Sequence, residues 1–61
     1  MAYTVIWYDK QGIVDKVTFD AEKTARDYAI SMFQTRKADD GVVCVEVRKD
    51  DRTVVFSHAE V

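Results

Sequence analysis

The sequence predicts an α+β domain of order ββαββ: a two-layer sandwich whose four-stranded, mainly antiparallel sheet carries one helix on one face. Three observations predict it. Four short runs rich in β-branched and aromatic residues read as strands: Tyr3 to Tyr8, Ile13 to Phe19, Val42 to Arg48 and Thr53 to His58. Between the second and third lies a longer stretch whose apolar residues recur at helical spacings of three and four. The only two glycines, Gly12 and Gly41, fall where the chain must turn.

In the first hairpin, a three-residue loop of Lys10, Gln11 and Gly12, with Gly12 in the left-handed region, opposes Trp7 to Asp15, Val5 to Val17 and Tyr3 to Phe19. Opposed residues share a face, so Tyr3, Val5, Trp7, Val17 and Phe19 line one side. Asp20 is placed to cap a helix, and Glu22 suits the positive end of its dipole. Ala21, Ala25, Tyr28, Ala29, Met32 and Phe33 make one apolar stripe on a helix from about Ala21 to Lys37. Ala38-Asp39-Asp40-Gly41 then ends it. In the second hairpin, Val43, Val45 and Val47 form an aliphatic row for the helix to cover. A tight turn centred on Asp50-Asp51 opposes Val47 to Val54 and Val45 to Phe56. The helix returns the chain, so strand order 2-1-3-4 is expected, with the first and third strands central.

Residues 1–61 make one domain, small enough to bury only roughly 60% of its unfolded surface. The single cysteine, Cys44, excludes an intrachain disulfide, and no Cys/His cluster points to a metal or other cofactor. A net charge of −2, from 9 basic and 11 acidic residues, is too balanced for a basic phosphate-binding surface. It is also too weakly acidic to imitate a nucleic-acid backbone. The start, M-A-Y-T-V-I-W-Y-D, lacks the basic and apolar regions of a signal peptide, and no apolar run approaches the ~20 residues that span a bilayer. With an unpaired cysteine, the expected setting is cytoplasmic, away from membranes.

One helix covers one face of a sheet. The face left over is expected to carry Thr4, Lys16, Thr18, Glu46, Arg48, Thr53 and Ser57, with Ile6, Tyr8, Val14, Val42, Cys44 and Val55 as a mixed apolar patch among them. Apolar patches above a few hundred Å² on monomers usually bind something, so this patch is the first candidate protein-binding surface, for a foreign protein or for a second copy packed face to face. A second candidate lies on the helix, where Ile30 falls away from the buried stripe with Lys23, Arg26, Phe33 and Lys37 around it. An apolar residue ringed by Arg and Lys suits an acidic partner. Edge strands are a third, because they offer free backbone groups.

Catalytic chemistry is not expected. Nucleophilic catalysis needs a nucleophile, a base and an orienting group in reach of one another, but Cys44 is assigned to the open face and His58 to the helix side. The pairs Asp39-Asp40 and Asp50-Asp51 read as turn formers, since a calcium loop needs alternating ligands over about a dozen residues. Asp15, opposite Trp7, is either a buried acid with a raised pKa or a carboxylate in water at the strand's open end. Nucleic-acid binding along the basic helix edge is the alternative function. It has one open-face aromatic, Tyr8, and no ribonucleoprotein-type motif to support it.

The layout (strand, D-x-x-G turn, strand, acid-capped helix, two short strands) resembles small ββαββ proteins encoded by phages and mobile elements, including some anti-CRISPR proteins. The resemblance covers the whole chain through layout and size, with no shared motif, so no functional residue is carried over. It implies a protein that occupies a surface of a larger machine. The expected function is thus a small non-enzymatic protein-binding module, an inhibitor or adaptor acting by steric occlusion and able to self-associate.

Overall fold

The computed structural model describes residues 1–59 and contains strands β1 (Tyr3–Asp9), β2 (Gly12–Phe19), β3 (Cys44–Lys49) and β4 (Val54–Ala59), with helix α1 (Glu22–Asp40) between β2 and β3. The sheet order is β2-β1-β3-β4, every neighbouring pair antiparallel. The fold is the expected ββαββ sandwich, and β2 and β4 are its edges.

Alternation along the two central strands decides which face is buried. Val5 and Trp7 of β1 stand opposite Val47 and Val45 of β3, and all four are fully buried. Above them, α1 presents Ala25, Ala29 and Phe33. The small alanines let the helix approach closely while the large Trp7 fills the space beneath, so volume is matched without strain. Tyr28 closes one side, its ring 6.2 Å from Trp7 edge-to-face and 5.0 Å from Phe19. Each fully buried aliphatic side chain contributes about 1.5–3 kcal/mol, and this single layer is the main source of stability.

The ends of α1 differ from expectation. The N-cap is Ala21, whose extended backbone (φ −127°, ψ 142°) is right for the position but whose side chain offers no oxygen. Asp20 therefore does not cap. The helix also runs on to Asp40, three residues beyond Lys37, because Gly41 takes the left-handed conformation at φ 70°. The Gly41 and Val42 N–H groups turn back to the Arg36 carbonyl. That reversal drives Val42 into the core, fully buried, while Val43 stays half-exposed. Val42, not Val43, is the core residue here.

Both hairpins contain a bulge on the edge strand. In the first, Asp9 Oδ1 accepts from the Gln11 and Gly12 N–H groups at 2.7 and 3.0 Å, and Asp9 pairs with Gly12 across a two-residue turn. The loop is one residue shorter than expected. Val14 is the extra residue that restores the register, so Trp7↔Asp15, Val5↔Val17 and Tyr3↔Phe19 pair as predicted. Gly12 does have a positive φ, 138°. Tyr8 pairs with Ile13, which takes the open-face position predicted for Val14.

The second hairpin's register is corrected by two residues. Lys49 accepts from the Arg52 N–H at 2.8 Å and donates to the Thr53 carbonyl at 2.9 Å, with Arg52 itself at φ 72°. The loop is thus one residue longer than a tight Asp50-Asp51 turn. Val55 then adds a second extra residue as a bulge, giving Arg48↔Val54, Val47↔Phe56 and Val45↔His58. Two insertions make an even shift, so Phe56 and His58 keep the helix side. Val54, beyond the bulge, shares the open face with Arg48.

Candidate functional site

The open face consists of three cross-strand rows: Thr18-Thr4-Arg48-Val54, Lys16-Ile6-Glu46-Ser57, and Ile13-Tyr8-Cys44-Ala59. Of the predicted patch, Ile6, Tyr8 and Cys44 are on this face. Val14, 37% exposed, is a bulge residue outside the paired rows. Val42 and Val55 are not part of it: Val42 belongs to the core and Val55 packs against it. Ile6 is only 8% exposed, between Lys16 and Glu46 in its row. Beside it Tyr8 donates to Glu46 Oε1 at 2.7 Å, and the Arg48 guanidinium donates to the same oxygen at 3.0 and 3.3 Å. The carboxylate acceptor pushes the Tyr8 phenol above its ordinary pKa. Of the apolar patch predicted for this face, Val42 and Val55 are drawn inward and Tyr8 is bridged by a polar network, while Ile13, Val14 and Val54 stay exposed on the edge strands.

Cys44, half-buried beside this network, has its pKa raised by burial and then by Glu46. It is held as the thiol, whereas attack requires the thiolate. His58 lies on the other side of the sheet with its ring edge-to-face on Phe33 at 4.7 Å. The two do not meet. Among the described residues no group of three His, Cys, Asp or Glu side chains is placed to hold a metal ion. No helix among them is long and apolar enough to cross a membrane.

Asp15 is not a buried neutral acid: its carboxylate is charged and nearly half exposed to water, and it is also ion-paired. Its Oδ2 accepts from Arg36 at 2.8 Å, and Arg36 also reaches Asp40 at 2.8 Å while lying 5.6 Å from the Trp7 ring centre. The Lys16 backbone N–H and this guanidinium hold the Asp15 carboxyl below its ordinary pKa. Asp40 and Asp15 together raise the already high pKa of Arg36. This bridge fastens the end of α1 to β2 and is structural.

The helix edge becomes a built surface. α1 packs on β1, β2 and β3, so β4 lies beyond its main footprint. Between α1 and β4 an apolar groove of about 230 Å³ runs past Ile30, Phe33, Gln34, Phe56 and His58, floored by Ala29 and Val45. Ile30 is 58% exposed at its lip, and the Arg26 guanidinium lies 5.7 Å from the Phe56 ring centre. Phe33 is a correction: it is a core residue, 4% exposed, and forms an inner wall of the groove rather than an exposed flank. Lys23 and Arg26 do not form a one-sign stripe, since Lys23 pairs with Asp27 at 2.8 Å and Arg26 with Glu22 at 3.6 Å. Such interleaved carboxylates weaken any phosphate contact along this edge. Lys37, one turn beyond Phe33 near the end of α1, is exposed.

Sequence reasoning found Ile30 but missed Phe56 and His58 as the facing wall. Their alternation along β4 was visible. Which strand the helix leaves uncovered is set by the crossing of α1 over the sheet. In comparisons with known proteins, no family model, curated protein or solved structure matches the chain.

Proposed function

We propose that this chain is a small protein-binding module without catalytic activity, an inhibitor or adaptor that acts by occluding a surface of a larger protein. Its contact surface is the groove between α1 and β4. The observation that carries the reading is Ile30, a large aliphatic side chain more than half exposed at the lip of an apolar concavity walled by Phe33 and Phe56. Interfaces concentrate their energy in a central apolar anchor seated in such a pocket. The open sheet face is the weaker surface. A partner or second copy docking there must strip water from the Tyr8-Glu46-Arg48 network, and desolvating charged groups opposes association.

The test is capture of partners from a host lysate by the tagged protein, beside two exposed-site variants. Ile30→Asp is expected to abolish capture with an unchanged circular-dichroism spectrum, and Ile13→Asp on the open face to preserve it. Capture that survives Ile30→Asp and fails with Ile13→Asp transfers the site to the sheet face. A wild-type protein that captures nothing removes the binding-module reading itself.

A further inference from the structure

We propose that the groove and the free edge of β4 together take an extended, acidic peptide segment by strand addition, the peptide becoming a fifth strand beside β4. The proposal rests on the groove being the protein-binding surface and names what enters it. β4 is an outer strand, so every second residue directs its N–H and C=O away from the sheet. From Phe56 to Ala59 the strand pairs with β3 without interruption, the bulge being confined to its start. The other edge, β2, is guarded: its bulge sits beside Asp15 and the exposed Lys16. β4, by contrast, carries no charged residue from Val54 to Ala59 and no proline. Natural edges are normally blocked by charge, proline or a mid-strand bulge; the regular part of this one is left open.

The groove supplies the side-chain half of the recognition. In an added strand, alternate side chains point to the helix side, where they meet Ile30, Phe33 and Phe56. Among the described residues no carboxylate lines the groove; the polar groups that do are Gln34 and His58. Arg26 stands over Phe56 at one end, its ion pair with Glu22 stretched to 3.6 Å. Asp27, on the outer side of Ile30, is already bound to Lys23. Apolar residues in the middle of the peptide thus fit the walls, and an acidic residue at the Phe56 end fits Arg26.

The test uses fluorescein-labelled heptapeptides of the pattern Glu-Thr-Val-Thr-Val-Thr-Glu, which place Glu and Val on one side of an extended chain. The two Val positions are varied among Val, Leu and Phe, and anisotropy is read on the full chain. At least one such peptide is expected to bind at least tenfold more tightly than its counterpart with Lys for Glu. Arg26→Gln is expected to erase that preference, and alternate backbone N-methylation to abolish binding. Amide shifts in 15N spectra should centre on β4. The proposal is overturned if no peptide binds, if Lys and Glu peptides bind equally, if N-methylated peptides bind undiminished, or if the shifts fall on the open face. It is also overturned if the protein alone sediments as a dimer whose β4 amides are already protected. Failure here with lysate capture still dependent on Ile30 discards the acidic strand and leaves the binding-module reading standing.

Discussion

Trp7 fills the middle of the core with no exposed surface, and its indole N–H finds no acceptor among the described residues. An unpaired buried donor costs about 1–3 kcal/mol, which the ring's packing and the Arg36 guanidinium above it offset. Arg36 in turn draws Asp15 into an ion pair. Because the Asp15 carboxyl titrates below its ordinary value of 3.8, the native state holds the charged form more strongly than the unfolded chain does. The resulting stability is complete above that ordinary value and is lost as pH falls through the lower folded value. Asp15→Asn should therefore lower the urea midpoint at neutral pH, and the variant and parent curves should converge as the solution is acidified. A gap that persists at low pH would show that the carboxylate charge is not the cause. Asp51, lowered by hydrogen bonds from Thr53, acts in the same direction, so the variant retains some acid sensitivity.

At the scale of elements, two local conflicts remain in an otherwise consistent chain. The Ala21 carbonyl already accepts the first helical bond from Ala25 N–H at 3.1 Å, but the side chain cannot satisfy a second orphan donor. Ala21→Ser is expected to raise stability by about 1 kcal/mol, which for a domain this small is a rise of roughly 4–8 °C in Tm by calorimetry. No change would mean that another group already serves those donors. Arg52 holds a positive φ that costs a side-chain-bearing residue about 1–2 kcal/mol. Arg52→Gly should recover about 1 kcal/mol in urea unfolding, the gain being limited by glycine's greater freedom in the unfolded chain. A loss instead would show the Arg52 side chain to be needed. Both conflicts lie outside the groove, so removing them should not alter partner capture.

For the whole molecule, one apolar layer joins both hairpins to the helix. Native domains are stable by about 0.05–0.15 kcal/mol per residue, so neither a hairpin nor α1 has enough of its own to persist alone. A helix in a protein draws most of its stability from packing its apolar face, here Ala25, Ala29 and Phe33 on the sheet. Tryptophan fluorescence, reporting Trp7 at the sheet centre, and ellipticity at 222 nm, reporting α1, are expected to give one coincident urea transition. A helix signal lost earlier would mean that α1 is a separable unit, and the groove, whose upper wall is α1, would then open before the sheet unfolds.

Local pattern and side-chain period determined the elements and the faces of the central strands, and the strand order agrees with the one expected from the helix returning the chain. Those properties depend on neighbours a few residues apart and on burying Val5, Trp7, Val45 and Val47 together. The first hairpin's pairing near its open end was legible for the same reason. Only the tertiary structure decided the turn lengths and the bulges at Val14 and Val55, because one extra residue in a strand costs little locally and is chosen by how the edge must bend. It also decided that Val42 turns inward past Gly41, that Ile6 is sheltered on the open face, and that β4 lies beyond the helix's main footprint. The groove depends on the angle at which two packed layers cross, a quantity held by the core as a whole.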